Sequence, residues 1–267
     1  MNRIARNLAD IGYMDTLAAG NGPLHRLDAR AKILVTGLFI AAVVSFNRYE
    51  VARLAPFALF PVFLISAGGL PPGYLLKKLL PAAPFALLVG ILNPLLDTTA
   101  MLQLGGVTVS AGWVSFFSIM ARFALTVTAA LALVALTGMN AIGEGLAAMG
   151  APRAFVTQLL FLNRYLFELA GEAGRMERAR DLRACGRTTA GLGVFVQLTG
   201  SLLLRGLARA ERVYQAMLCR GFKGSVRTAE PSGFGAKEAV FVLGWSALFA
   251  VFRLADLTRI LGKAVME

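Results

Sequence analysis

Apolar residues are concentrated in five windows of the sequence, which are separated by short polar connections. The windows cover residues 31–46, 51–70, 79–96, 113–138 and 239–255. Because about 20 mostly apolar residues cross the hydrocarbon core of a bilayer, the pattern predicts an all-α integral membrane protein with about five transmembrane helices. Pro81, Pro84 and Pro94 interrupt the third window. Since proline removes a backbone donor and kinks a helix, a broken or re-entrant helix is predicted there.

A different pattern covers Met139–Glu238, where charged residues interrupt the apolar runs. This segment contains 14 Lys or Arg and 8 Asp or Glu, about half of all the basic residues. Four leucines recur at helical intervals: Leu159, Leu162, Leu166 and Leu169. The periodicity predicts two long helices, Ala154–Ala184 and Ala190–Cys219, each apolar at its start and charged at its end.

The basic residues also orient the predicted helices. Five of them lie in the amino-terminal arm: Arg3, Arg6, Arg26, Arg30 and Lys32. The connection at 97–112 has none. Because cytoplasmic loops carry the excess of Lys and Arg, the amino-terminal arm and the charged segment are predicted in the cytoplasm. The fifth crossing then places the carboxyl-terminal tail outside, although its Arg253, Arg259 and Lys263 run against this rule. The predicted regions are a cytoplasmic arm at 1–32, four transmembrane helices in 33–138, a cytoplasmic region at 139–238, and the last helix and tail at 239–267.

Within the arm, Ile4, Leu8 and Ile11 recur at helical spacing. This spacing is typical of a short amphipathic helix lying on the membrane surface, and a frayed terminus is the alternative. No apolar run of the kind found in a cleavable secretion signal follows Arg3 and Arg6. We therefore expect the arm to remain on the mature protein.

The composition supports a membrane protein. Hydrophobic residues make up 57 % of the chain, and the mean hydropathy is +0.66. The net charge of +12 is interpreted as a feature of cytoplasmic loops rather than of nucleic-acid binding. The two cysteines, Cys185 and Cys219, do not form a cysteine-dense framework, so both are predicted to be reduced thiols.

Motifs of catalysis and of cofactor binding are missing from the sequence. It has no phosphate-binding G-x-x-x-x-G-K-[ST] loop, no nucleophile motif and no His–Glu zinc motif. The sequence therefore predicts no enzyme activity, no cofactor and no metal site, and any ATP would bind to another polypeptide. The single histidine, His25, is expected to cap or pack. Cys185 and Cys219 are expected to provide small side chains for packing rather than to ligate a metal.

The two long predicted helices end in a similar way, with an arginine close to a glycine. Six residues form these ends: Arg183, Ala184 and Gly186 in the first, and Cys219, Arg220 and Gly221 in the second. A glycine stops a helix readily, and a cation near a helix carboxyl end offsets the macrodipole. Small neighbours also let a partner approach closely, so that arginine can hold a carboxylate with two hydrogen bonds. The duplication predicts two similar docking sites.

Arg122 lies inside the fourth apolar window, where a charge is costly and faces a partner or a cavity. Three interpretations remain open: it pairs with Asp97, it contacts another subunit, or it extends to the outer membrane interface.

Three stretches of sequence resemble the transmembrane T component of energy-coupling factor (ECF) importers, which are ABC-type uptake systems. AMLCRGF resembles that family's second signature, Ala-Met-x-Ala-Arg-Gly-Phe, with Cys219 in place of alanine. LRACG resembles the first signature, with Ala184 where the family has glycine. GPLHRLDARAK resembles the family's opening Leu-His-x-Leu-Asp-Pro-Arg-x-Lys, with Ala29 in place of proline. Together with MDTLAAGN, this opening is most similar to the cobalt and nickel branch.

The resemblance implies a multi-pass subunit of the cell inner membrane that couples other subunits to one another. Its two helix ends would dock on two ATPase subunits, with Arg183 and Arg220 as the anchors. Its hydrophobic helices would hold a separate substrate-binding membrane subunit. Cobalt or nickel is the implied substrate, and a vitamin importer is the alternative. Two other interpretations are a conventional permease that forms its own solute path and an intramembrane enzyme, for which the sequence lacks a suitable set of polar residues.

Overall fold

The computed structural model describes residues 12–20, 22–47, 50–96, 100–104, 107–183, 191–224 and 234–254. Its elements, in chain order, are α1 (12–18), α2 (Ala29–Val44), α3 (Val51–Leu54), a 3-10 turn (Ala55–Ala58), α4 (Leu59–Ala67), α5 (Pro72–Leu79), α6 (Ala83–Leu96), β1 (Ala100–Leu104), β2 (Val107–Ser110), α7 (Ala111–Thr137), α8 (Met139–Ala148), α9 (Arg153–Arg183), α10 (Leu192–Cys219) and α11 (Ala236–Leu254). Almost all of the described structure is helical, as the sequence predicts. The chain divides into two compact units, one with α2–α7 and α11, called here the core unit, and one with α8–α10, called the long-helix unit.

Aromatic side chains form the centre of the core unit. Phe39 of α2 is fully buried and lies 4.8 Å from Phe60 and 5.5 Å from Phe249, measured between ring centroids. Trp245 of α11 packs edge-on against Phe60 at 4.9 Å. Because buried aromatic rings supply large apolar areas with preferred mutual orientations, this cluster joins α2, α4 and α11.

The apolar segments of the core unit alternate in direction. Lys32, near the start of α2, contacts Leu136 at the end of α7, so these two helices are antiparallel. Arg253 at the end of α11 contacts Ser45 at the end of α2, so this pair is parallel. Three further contacts define the directions of the remaining segments.

The segment 51–67 begins close to the carboxyl end of α2 and ends close to the carboxyl end of α7. Phe57 packs against Phe46, which follows α2, at 5.3 Å, and Gly68 lies against Leu136. A side chain at Gly90 of α6 would meet Phe116 of α7. Since Gly90 lies in the second half of α6 and Phe116 lies near the start of α7, the two helices form an antiparallel pair.

The structure divides two of the predicted apolar windows. Residues 51–67 form a helix that is interrupted by the 3-10 turn, which has Pro56 near its start. In the third window, α5 and α6 meet at an angle of 59° across Leu80–Ala82. The break predicted from the prolines is therefore present.

One described helix, α7, is both long and apolar enough to cross a membrane, and the bent α5–α6 pair qualifies if it counts as one span. The helix α2 has only 16 residues, and α11 carries Lys237, Glu238 and Arg253 among its 19 residues. The prediction of about five crossings thus rests on the sequence windows, and the amphipathic arm predicted around Ile4 and Leu8 lies outside the described residues.

Two elements were not predicted. The connection before α7 contains an antiparallel hairpin in which Leu104 of β1 is opposite Val107 of β2. In the long-helix unit, α8 precedes the predicted helices and packs on α9, where a Cβ atom at Gly143 would lie 2.9 Å from a methyl carbon of Leu160. The two long helices themselves, Arg153–Arg183 and Leu192–Cys219, begin and end within two residues of the predicted positions.

Candidate functional site

The end of α10 is a Schellman motif built from the residues of the AMLCRGF stretch. The amide of Phe222 donates to the carbonyl of Met217 at 3.0 Å, and the amide of Gly221 donates to that of Leu218 at 2.9 Å. This pairing requires a left-handed residue directly after the helix, and Gly221 has φ of +77°. The glycine of this stretch is therefore explained by backbone geometry.

Arg220 is the carboxyl cap of α10 and directly precedes Gly221, and it is exposed. Its backbone is not helical, with φ of −91° and ψ of 9°. Cys219, one residue earlier, is a free and exposed thiol. The Schellman motif thus presents both side chains on an exposed helix end, where a partner can reach them.

Arg183 is the last described residue of α9, and its side chain is also exposed. It lines an open groove of about 570 Å³ beside α10, together with Val194 and Gln197. Ala184 and Gly186, which complete the predicted first signature, lie outside the described residues.

The helices α9 and α10 run antiparallel and cross near Leu169 and Gly206. A Cβ atom at Gly206 would lie 3.3 Å from a methyl carbon of Leu169. Arg183 is fourteen residues beyond Leu169, and Arg220 is fourteen residues beyond Gly206. At a rise of 1.5 Å per residue, each arginine is roughly 21 Å from the crossing point. Since the helices are antiparallel, the two arginines lie at opposite ends of the pair.

Four charged residues connect α9 to α10 beside this crossing. Glu172 accepts from the guanidinium of Arg205 at 2.8 Å, and Glu168 accepts from that of Arg209. Glu172 also accepts from Arg175 of its own helix, at 2.6 and 3.0 Å. These hydrogen bonds, those of Arg175 foremost, lower the pKa of Glu172. This network was not predicted, although Glu168 and Glu172, like Arg205 and Arg209, have the spacing that places side chains on one helix face.

Residues 20–230 match the CbiQ family, which is described as cobalt transport protein. The chain belongs to the CbiQ family. The match covers well over half of the sequence and includes both long helices. A search of the curated proteins finds no match. The CbiQ family is a family of transport proteins and not a family of enzymes.

The opening stretch GPLHRLDARAK has a structural role in this CbiQ protein. Asp28 caps α2, since its side chain accepts from the amide of Arg30 at 2.9 Å. One turn later, the buried Lys32 donates from Nζ to the carbonyl of Leu136 at 3.2 Å. An ammonium group at a helix carboxyl end is favourable, so Lys32 links the start of α2 to the end of α7, while Asp28 caps α2 itself.

His25 packs in the same stretch. Its Nε2 atom lies 3.1 Å from the carbonyl oxygen of Leu17, and its ring lies against Gly20 and Gly22. Within the described ranges, no group of three His, Cys, Asp or Glu residues is placed to hold a metal ion. The packing role predicted for His25 agrees with these contacts.

Arg122 contacts the chain that follows α2. Its guanidinium donates to the carbonyl of Asn47. Arg253 reaches the same segment from α11, donating to Ser45 and lying 4.4 Å from the centroid of the Phe46 ring. The contact with Asn47 was not among the predicted partners of Arg122. The predicted pairing with Asp97 involves a residue outside the described ones.

Proposed function

We propose that this CbiQ-family chain is the transmembrane coupling subunit of an ECF-type ABC importer for cobalt. It would transmit the ATP-driven motion of two ATPase subunits to a substrate-binding membrane subunit. The chain would cross the cell membrane about five times, with the long-helix unit in the cytoplasm. Family membership supports cobalt as the substrate, while nickel or a vitamin would require a different substrate-binding subunit.

The position of the two arginines carries this proposal. Arg183 and Arg220 are exposed and equally distant from the crossing of α9 and α10, and they lie at opposite ends of the antiparallel pair. Two identical docking sites on a pair of ATPase subunits require two similar helix ends that point away from each other. A single docking site would not require this duplication.

The chemistry of the helix ends is suited to a partner that changes position. A guanidinium group forms paired hydrogen bonds with a carboxylate, and these are strong once water is excluded. Because Gly221 ends α10 abruptly, the docking side chain sits at the tip of a stiff helix. Such a helix transmits displacement along its axis, whereas a flexible loop would absorb it.

The alternation of segments in the core unit supports a multi-pass arrangement. Consecutive apolar segments run in opposite directions, from α2 through 51–67 and α6 to α7. The last helix, α11, runs parallel to α2. This order fits five crossings with the amino-terminal arm and the long-helix unit on the same side. A conventional permease would need polar groups facing a central path, and Arg122 instead contacts the backbone at Asn47.

Copurification with the ATPase subunits tests the proposal. The tagged chain is expected to bring down two nucleotide-binding subunits from membranes. Arg183→Ala and Arg220→Ala should each weaken one docking contact by about 2–5 kcal/mol if the partner is a desolvated carboxylate. The double variant should lose both ATPase subunits and all ATP-dependent cobalt uptake.

Arg212→Ala provides the matched control, because Arg212 is an exposed arginine of α10 that lies away from the helix end. It should retain the ATPase subunits. A double variant that retained both subunits and transport would contradict the proposal, as would a wild-type chain that transported cobalt with no ATPase present.

A further inference from the structure

We propose that two ion pairs between the long helices, Glu168 with Arg209 and Glu172 with Arg205, are positioning contacts. They set the register of α10 along α9 and so hold Arg183 and Arg220 at equal distances from the crossing. This inference rests on the proposed function, because it concerns how the two docking ends are kept in place.

Hydrophobic burial does not set this register. No residue of α10 is buried in the described chain. Leu203, Leu204 and Leu207, which flank the crossing, are 61 %, 70 % and 55 % exposed. A helix held by few apolar contacts can shift by one turn with little change in buried area, because the hydrophobic effect is not directional. Directional contacts must therefore select the register.

The geometry of the charged residues supplies such contacts. Glu168 and Glu172 are four residues apart on α9, and Arg205 and Arg209 are four apart on α10, so each pair shares a helix face. In the antiparallel arrangement the earlier glutamate meets the later arginine. A shift of α10 by one turn would leave only one of the two pairs able to form. The two ion pairs, called here the ladder, thus distinguish the observed register of α10 along α9 from registers shifted by one turn.

The close contact at the crossing lets the two ion pairs form, but it does not by itself fix the register of the helices. Gly206 has no side chain, so Leu169 can approach the backbone of α10 and bring the charged side chains within reach. An open groove lies beside each ion pair, with a volume of about 570 Å³ next to Glu172 and about 580 Å³ next to Glu168. Since these two grooves are open, the side chains that line them leave room for α10 to shift along α9.

Charge reversal tests the proposal in the reconstituted importer. Glu168→Arg and Arg209→Glu should each lower the cobalt uptake per ATP hydrolysed at least fivefold. The double variant E168R/R209E, which restores opposite charges, should return to within twofold of wild type. Glu211→Arg makes the same charge change as Glu168→Arg at an exposed position of α10 outside the two ion pairs, and it should leave the cobalt uptake per ATP hydrolysed unchanged.

A distance measurement reports the register independently of transport. Spin labels on Cys219 and on an Arg183→Cys variant, with Cys185 replaced by serine, should give one narrow distance of roughly 40 Å. The distribution should broaden in each single reversal and narrow again in the double variant. Double electron–electron resonance on the purified chain measures this.

Single reversals that match wild type in both measurements would overturn the inference. So would a double variant that stays as defective as the single ones, and this comparison remains valid if the single variants fold poorly. If the wild-type chain brings down no ATPase, the proposed coupling function fails, and the spin-label distances alone decide whether the ladder sets the register.

Discussion

At the scale of single residues, the glycine at the end of α10 explains much of the AMLCRGF stretch. Gly221 takes the left-handed conformation that closes two hydrogen bonds onto the last turn. A residue with a Cβ atom resists this conformation. The position of Arg220 as a helix cap therefore depends on its neighbour, and the two residues act as one structural unit.

Replacing Gly221 by alanine should lower the stability of the helix end by about 1 kcal/mol, because alanine is strained at positive φ. The variant should also bind the ATPase subunits more weakly, since the Arg220 side chain would lose its fixed direction. Thermal unfolding and copurification measure the two effects.

Gly191→Ala is the matched control, because Gly191 precedes α10 with a φ of −86° and has open space around it. It should change neither the stability of the helix end nor the binding of the ATPase subunits. A Gly221→Ala variant that resembled this control would show that the left-handed turn is unimportant.

At the scale of elements, α9 and α10 are defined by charge as much as by apolar periodicity. The leucine pattern predicts the apolar start of α9, but Glu168, Glu172 and two arginines form the hydrogen bonds between the helices beside the contact of Leu169 with Gly206. Glu172 is the most connected of these residues, with hydrogen bonds to Arg175 and Arg205. Its protonation should therefore weaken the helix pair.

The pKa of Glu172 is lowered by Arg175 and Arg205, which determines the direction of the pH dependence. A lowered pKa means that the ion pairs stabilise the folded helices above the ordinary glutamate value of 4.5. This contribution is lost as the pH falls through the lowered value. The spin-label distance across α9 and α10 should stay narrow from neutral pH to about pH 4.5 and broaden below it.

Glu172→Gln should show a broad distance at every pH, because the amide cannot form the charged pairs. Glu211→Gln, an exposed position on α10, is the control and should follow wild type. A wild-type distance that remained narrow in acid would rule out a role of the Glu172 charge.

At the scale of the whole molecule, the two units differ in what holds them together. The core unit packs around Phe39, Phe60 and Phe249, with alternating segment directions. The long-helix unit exposes most of α9 and α10. A unit with a packed aromatic centre is suited to remain fixed in a bilayer, and a thin helix pair is suited to contact other subunits.

The proposed orientation predicts which sites are accessible from outside the cell. In a chain without native cysteines, Ser110→Cys and Glu267→Cys should react with a membrane-impermeant maleimide in intact cells. Met149→Cys, at an exposed position before α9, should react only after permeabilisation. Labelling of position 149 in intact cells would reverse the orientation, and protection of position 267 would change the number of crossings.

The features that the sequence predicted depend on residues close to one another along the chain. The bounds of α9 and α10, the break between α5 and α6, and the stop at Gly221 follow from periodicity, proline and glycine, which act within one or two helical turns. The signature residues could be recognised for the same reason. The side-chain partners proposed for them would belong to another subunit, so this chain does not specify them.

Tertiary structure decided the contacts between distant residues. Lys32 reaches Leu136 across 104 positions, Arg122 reaches Asn47 across 75, and Glu168 pairs with Arg209 across 41. The sequence contains each of these charges, but many partners are compatible with a lone arginine or glutamate. Which of them meet depends on the directions and crossing points of whole helices, and these arise only when the apolar faces pack together.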